Sequence, residues 1–384
     1  MLVFFTGSCD DVHPGERHLF EHLPFRASKD RIGYSQTLEQ FKLLGGTVNA
    51  MTDQHLTCYQ VRVPGTHARA GAEHLIKLAC QPRCSQEDID AEREVILSEI
   101  SMRYSNPGEY SRNHFIEHLF AGTPFAHPVA GSEETLDLVT PDMLRELHRS
   151  SYTRERCAWI VAGGIEHDTL ATLLEGVSVQ IPTGSHKPRR TASTLYAPTF
   201  QGWGIPVESA FPFGDSHIRI YVPMEHEVVS QDAVSLVDNQ LSLGADSVLM
   251  KALREEHKLV YGVITHAFTT TVATGLWLYM PIKPGREDRA LDVLWQTFDQ
   301  FANVHPWCWL PELRARLRAE AQMRDLAPAK LASLALGEMM KGRGVEPESH
   351  ELDRLDAVTA DEIIEVSKAL KPANAAVFIY RGSS

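Results

Sequence analysis

An internal repeat narrows the choice of folds more than any other feature of this sequence. Thr140-Pro141-Asp142, a helix start, and Ala158-Trp159-Ile160-Val161, a strand, recur as Thr359-Ala360-Asp361 and Val377-Phe378-Ile379-Tyr380. Both markers move by 219 positions, from 140 to 359 and from 160 to 379. A constant offset carried by a helix and a strand together points to two copies of one α+β domain. Between the copies, Pro182-Thr183-Gly184-Ser185 and Lys187-Pro188-Arg189-Arg190 have the composition of a linker. The chain therefore divides into a first domain over 1–180, a linker over 181–205 and a homologous second domain over 206–384. With 384 residues, each copy can bury a core without disulfides.

The chemistry is carried by His18-Leu19-Phe20-Glu21-His22, the pattern H-x-x-E-H. Positions three and four apart on a helix are neighbours, so His18, Glu21 and His22 share a face. Two imidazoles so placed can grip one zinc ion, and the carboxylate beside them can take a proton from a water that the metal has acidified. The pattern inverts the commoner H-E-x-x-H. It also occurs at His114-Phe115-Ile116-Glu117-His118, so the pentapeptide alone does not select a site.

A catalytic zinc takes three protein ligands, so the third ligand decides between the two motifs. Downstream of the first, Ser85-Gln86-Glu87-Asp88 opens a capped helix that runs to Tyr104 and is broken at Asn106-Pro107-Gly108. Its Glu92 and Glu99 are seven residues apart, nearly two full turns, so they share a face while Glu94 points elsewhere. One of the two can bind the metal and the other can orient a ligand. No comparable acidic helix comes after the second motif. There His114 and His118 read as residues of an amphipathic helix over 113–120, with Phe115, Ile116 and Leu119 turned to the core.

Around the first motif, Pro24 removes an amide and crowds the carbonyl of Phe20, so the helix is expected to end or kink there. Residues 35–44 predict a helix closed by Gly45-Gly46. From Thr47 to Pro64 the period shifts to two, which predicts a hairpin or edge pair of strands.

These residues resemble the pitrilysin, insulin-degrading enzyme and mitochondrial processing peptidase family of zinc metallopeptidases, over nearly the whole chain. The family's H-x-x-E-H with a distant glutamate is matched by His18, Glu21, His22 and Glu99, which lies 77 residues after His22. Glu99 ends Glu92-Arg93-Glu94-Val95-Ile96-Leu97-Ser98-Glu99, similar to the family's E-R-x-V-I-L-x-E helix. The resemblance implies Zn2+ held by His18, His22 and Glu99, with Glu21 as general base and Glu92 as a second catalytic carboxylate that orients a ligand. Gly45-Gly46-Thr47-Val48-Asn49-Ala50-Met51-Thr52 resembles the G-G-x-x-N-A-x-T strand, implying an edge where Asn49 and Ala50 pair with extended substrate. His127-Pro128 with Gly131 resembles the loop that comes after the active-site helices. Leu253-Arg254-Glu255-Glu256-His257-Lys258-Leu259-Val260-Tyr261 resembles the L-R-E-x-x-x-L-x-Y stretch, implying that Arg254 and Tyr261 hold substrate. Pro24 departs from the family pattern, and the chain is expected to lack a first strand that most relatives carry.

The expected activity is that of a metalloendopeptidase hydrolysing unfolded oligopeptides or leader or targeting peptides. Long family members carry four such domains and this chain two, which implies a homodimer closing as a clamshell. Each site would join His18, His22 and Glu99 of one chain to Arg254 and Tyr261 of the other. The alternatives are a subunit of a hetero-oligomeric processing peptidase and a non-catalytic peptide-binding scaffold; the intact His18, Glu21, His22 and Glu99 weigh against the scaffold. The net charge of -13 argues against nucleic acid as a partner. No segment has the apolar length to cross a membrane, and Leu2-Val3-Phe4-Phe5 reads as an opening strand rather than a signal core. Six cysteines scattered through a chain of this size point to a reduced, cytoplasmic setting.

Overall fold

The computed structural model describes residues 1–28, 31–32, 34–184, 197–225, 229–269, 273–324, 327–340, 343–344 and 348–383. The fold is α+β, in two compact units. The first comprises Met1–Asn106, Thr123–Thr191 and Leu326–Gly337; the second comprises Pro107–Gly122, Ala192–Asp325 and Glu338–Ser384. Of the linker expected over 181–205, residues 185–196 lie outside the described residues.

The first unit is built on a four-stranded antiparallel sheet of β1 (Leu2–Phe4), β2 (Thr47–Thr52), β3 (Thr57–Arg62) and β4 (Cys157–Trp159), in the order β2-β3-β1-β4. β1 is apolar at every position because it is central and covered on both faces; Leu2, Val3 and Phe4 are all fully buried. The helices are α1 (Glu16–Arg26), α2 (Tyr34–Leu43), α3 (Ala68–Cys80), α4 (Gln86–Tyr104) and α6 (Pro141–Ser151). Leu19, Phe20 and Leu23 of α1, Leu75 and Ile76 of α3, and Ile89 and Ile96 of α4 join Leu2, Phe4 and Tyr59 in one core.

Of the end or kink expected at Pro24, the end does not occur: α1 runs two residues further to Arg26. The missing amide removes one bond, which is offset by burial of almost the whole helix from Glu16 to Pro24. α2 closes at Gly45, whose φ of +68° is the left-handed conformation expected of a helix C-terminus. The side chain of Ser85 caps α4 through the amide of Asp88, 3.2 Å away.

α5 (Pro107–Leu119) carries the second H-x-x-E-H pattern and starts at Pro107, where a missing amide is harmless at the first helical position. It lies within the range expected for the first domain, yet it packs with the second unit. That unit has a five-stranded sheet of β5 (Val207–Phe211), β6 (Ser216–Met224), β7 (Ile264–Thr269), β8 (Thr274–Ile282) and β9 (Ala376–Gly382), in the order β5-β9-β6-β8-β7. Only β5 and β9 are parallel. One face carries Ile218, Ile220, Leu276, Leu278, Val377 and Ile379, in a core with α7 (Gln231–Ser242), α8 (Glu287–Ala302) and α9 (Ala360–Ala369). The alternate residues Arg219, Trp277, Phe378 and Tyr380 are covered by α5. Phe115 lies edge-on to Trp277 and Phe378, with ring centroids at 5.3 and 5.0 Å, and Arg219 Nε donates to Ser111 Oγ at 2.9 Å.

The two sheets share a plan. β2-β3-β1-β4 corresponds to β7-β8-β6-β9, and β5 is an addition with no counterpart among the described residues of the first unit. The caps Thr140 and Thr359 bind the amides of Met143 and Glu362, so the 219-residue offset holds for the helices. It does not hold for the strands. The core-facing residues of β4 are Cys157 and Trp159, and those of β9 are Val377 and Ile379, an offset of 220. A one-residue slip exchanges the faces of a strand, so the true correspondence is the one that keeps apolar side chains inward.

Replacing Phe115 by Ala removes a fully buried ring from the face of the second unit's sheet. Large-to-small changes of this kind cost about 3–5 kcal/mol. The second unit holds every tryptophan except Trp159. The loss should therefore appear as a lower denaturant midpoint in tryptophan fluorescence, and a shift worth under about 1 kcal/mol would mean that α5 is not integral to that unit.

Candidate metal centre

The centre begins with how α1 is held. Asp11 accepts from the amides of Gly15 and Arg17 at 3.0 and 3.2 Å and from Nη1 of Arg17 at 2.7 Å. Burial lifts the Asp11 carboxyl to about 7, against the pull of Arg17. Glu16, in the first turn, accepts from the amides of Val12 and His13 at 3.1 and 3.0 Å. Gly131 has φ +73°, and a Cβ there would lie 2.2 Å from the carbonyl oxygen of Pro14, so the loop after His127-Pro128 fits against the start of α1 only as glycine. The helix that carries His18 and His22 is thus fixed before any metal is considered.

α1 presents His18 and His22 one turn apart, with ring centroids at 4.8 Å. α4 presents Glu92 and Glu99 on a shared face, while Glu94 is exposed. Glu99 Oε2 lies 3.7 Å from Nε2 of His18 and 3.7 Å from Nε2 of His22. These separations are too long for hydrogen bonds. Three polar atoms therefore converge without bonding one another, all within 4.8 Å, and no other such trio of potential ligands occurs among the described residues. Donors on one tetrahedral zinc would stand roughly 3.4 Å apart, so the arrangement fits an ion held by two imidazoles and one carboxylate.

The surrounding hydrogen bonds set which atoms face inward. His22 Nδ1 donates to Glu92 Oε2 at 3.2 Å, which leaves its Nε2 toward Glu99. His18 Nδ1 is buried without a hydrogen-bond partner among the described residues. Burial, helped by the neighbouring His22 and opposed by Glu99, pulls the His18 imidazole down to about 4, so it is neutral, as a ligand must be. Burial acts the same way on His22, but its hydrogen bond to Glu92 and the nearby carboxylates outweigh it and raise its pKa. Glu21 is buried, and burial raises its pKa despite His22 and a hydrogen bond from Thr52 Oγ1 to its Oε2 at 2.9 Å.

Sequence reasoning missed two participants. Thr52 lies on β2 inside the strand motif, one residue past the exposed Met51, and its hydroxyl turns inward to Glu21. Arg103 donates from Nη2 to Glu99 Oε1 at 2.5 Å. Its position four residues after Glu99 was the available signal.

The other expected site residues lie elsewhere. β2 is the edge strand of its sheet, with Asn49 exposed and Ala50 half-buried. Arg254 and Tyr261 belong to the second unit. Arg254 sits in a π-helical turn over Met250–Glu256, with its guanidinium carbon 5.2 Å from the ring centre of Tyr261, and Tyr261 is 85% exposed. The second H-x-x-E-H pattern forms no metal centre. His114 Nδ1 lies 3.3 Å from the Tyr380 hydroxyl, His118 Nδ1 donates to the carbonyl of His114 at 2.8 Å, and Phe115, Ile116 and Leu119 are buried.

Comparison with known proteins agrees with this geometry. Residues 1–133 match the model described as insulinase, peptidase family M16, and residues 138–306 match the model described as the peptidase M16 inactive domain. Both H-x-x-E-H patterns lie in the first range and none in the second. An uncharacterized zinc protease of Mycobacterium leprae is 25% identical over 362 residues, covering 91% of this chain and 78% of that protein. The crystal structure of a peptidase M16 inactive domain from Pseudomonas fluorescens superposes with a TM-score of 0.86 at 14% identity, covering 100% of this chain and 92% of that one. Pitrilysin superposes with a TM-score of 0.78 at 16% identity, covering 100% of this chain and 42% of the pitrilysin chain. None of the described helices is long and apolar enough to cross a membrane. With both halves matched by models of one family, and with its first half carrying an assembled His-His-Glu trio, the chain belongs to peptidase family M16, the insulinase family.

Proposed function

We propose that this chain is a zinc metalloendopeptidase. The observation that carries the reading is the convergence of His18, His22 and Glu99 Oε2 beside a buried Glu21. Zinc, when bound by those three residues, supplies acidification of a water and polarisation of the scissile carbonyl. Glu21 then takes the proton as the water attacks and returns it to the leaving amine. Its burial suits that exchange, because a raised pKa makes a carboxylate a better proton acceptor. Thr52 fixes one oxygen of Glu21 and leaves the other for the proton. Glu92 holds the His22 ring in the orientation that offers Nε2.

The substrate is an extended peptide. The open edge of β2, with Asn49 and Ala50, offers backbone groups for strand pairing. The half-buried Arg254, with its guanidinium over the ring of the exposed Tyr261, serves with it as a second hold on substrate. The proposed assembly is a homodimer of this two-domain chain. In that dimer each site joins His18, His22 and Glu99 of one chain to Arg254 and Tyr261 of the other. The inactive-domain match covers residues 138–306 alone and favours a non-catalytic part for that half only.

Glu21→Gln tests the chemistry. The variant should keep one zinc per chain and lose activity on a peptide library by about 100- to 10,000-fold, the usual contribution of a general base. Wild-type turnover by this variant would sink the assignment.

Glu99→Gln should reduce zinc content, measured by metal analysis after dialysis against a chelator, by about tenfold or more. An unchanged zinc content would remove Glu99 from the ligand set.

A mixing experiment tests the shared sites. Glu21→Gln and Arg254→Ala should each be inactive or nearly so, and after subunit exchange a 1:1 mixture should recover about a quarter of wild-type activity, because half the dimers then hold one intact site. A fully active monomer, or a mixture no more active than its parts, would contradict the shared site.

A further inference from the structure

The two oxygens of Glu99 do different things. Oε2 faces the imidazoles, 3.7 Å from each Nε2, while Oε1 receives Nη2 of Arg103 at 2.5 Å. Arg103 is one turn further along α4, and a glutamate with a cation four residues later is the favourable order for a helical pair. The pairing is therefore set by α4 itself and does not depend on any loop.

We infer that Arg103 is a positioning residue that holds Oε1 of Glu99 away from the metal, so that the carboxylate binds through Oε2 alone and one coordination position stays open for water and substrate. This rests on the reading of His18, His22 and Glu99 as zinc ligands. The physical reason is competition for one oxygen. A carboxylate can ligate through one oxygen or both, and a catalytic zinc needs three protein ligands with a vacant fourth position. If Oε1 also closed onto the ion, it would fill that position. A charge-assisted hydrogen bond from a guanidinium is among the stronger ways to keep a carboxylate oxygen elsewhere. The same cation draws electron density from Glu99 and repels the metal, so Arg103 weakens zinc binding while keeping the site open. Its side chain is 46% exposed, so solvent screens the effect and keeps it moderate.

Arg103→Met keeps the aliphatic stem and removes the fork, and Arg103→Lys keeps the charge as a compact ammonium without the planar fork. Each is loaded with Co2+ for visible absorption and, separately, titrated with zinc against a chelator. Wild-type protein should show the intense absorption of a four-coordinate site. Arg103→Met should show the weaker bands of a five-coordinate site, bind zinc about tenfold more tightly, and lose kcat with little change in KM. Arg103→Lys should fall between the two. A wild-type spectrum together with wild-type zinc affinity in Arg103→Met overturns the inference. So does weaker zinc binding with an unchanged spectrum, which would make Arg103 a brace for Glu99 and nothing more. If wild-type protein binds neither ion, the zinc reading itself fails, and that result is distinct from either of the others.

Discussion

Everything at the centre depends on the burial of α1. From Glu16 to Glu21 every residue of this helix is buried, including four that are charged or titratable. Such a helix is stable only if each polar group is given a partner, because an unpaired buried charge is expensive. Asp11 and Thr6 pair Arg17, and the amides of Val12 and His13 occupy Glu16. These contacts hold the first turn so that the next turn can present His18, Glu21 and His22 at fixed angles. Glu21 leans on Thr52 and His22 on Glu92. His18, on the same helix, keeps its ring nitrogen Nδ1 buried with no hydrogen-bond partner among the described residues.

The second unit shows the same architecture without that burden. There the helix after the first matching strand is α7, which buries Ala233, Val234, Leu236, Val237 and Leu241 where α1 buries histidine and glutamate. α7 contains no histidine, so the repeat preserves the sheet order and the threonine caps while, among the described residues, a converging His-His-Glu trio occurs in one copy only. The half-buried Arg254 and the exposed Tyr261 show the second copy carrying a different polar feature, with Arg254 set in a π-helical turn of a kind often found at functional positions. Duplicated folds diverge in this way because the layers fix the core and leave the sites free to change.

Much of the centre was legible because helical periodicity is a local property. The spacing of His18 and His22, and the seven-residue step from Glu92 to Glu99, needed no tertiary information, and the structure puts those four side chains together. The cap at Ser85 and the hairpin over β2 and β3 were legible for the same reason. The features that escaped depended on contacts distant in sequence. Pro24 was read as an end or a kink because propensity speaks only of the local bond, whereas burial of α1 carries the helix past it. α5 was placed with its sequence neighbours, but the aromatic face of Trp277 and Phe378 holds it in the second unit. The 219-residue offset was right for the caps and one residue short for the strands, since matching letters cannot see which way a strand faces.

Three carboxylates crowd the centre, and each is assigned by a different neighbour. Arg26, at the end of α1 beyond Pro24, brings Nη1 to 3.6 Å from Glu92 Oε1, while Oε2 of the same acid accepts from His22. Arg103 occupies Oε1 of Glu99, and Thr52 occupies Oε2 of Glu21. In each case one oxygen faces a protein cation or hydroxyl, while the second oxygen of Glu92 meets His22 and that of Glu99 faces both imidazoles. The acids are alike in chemistry, so their roles come from these partners. The partners stand on three different elements, α1, α4 and β2.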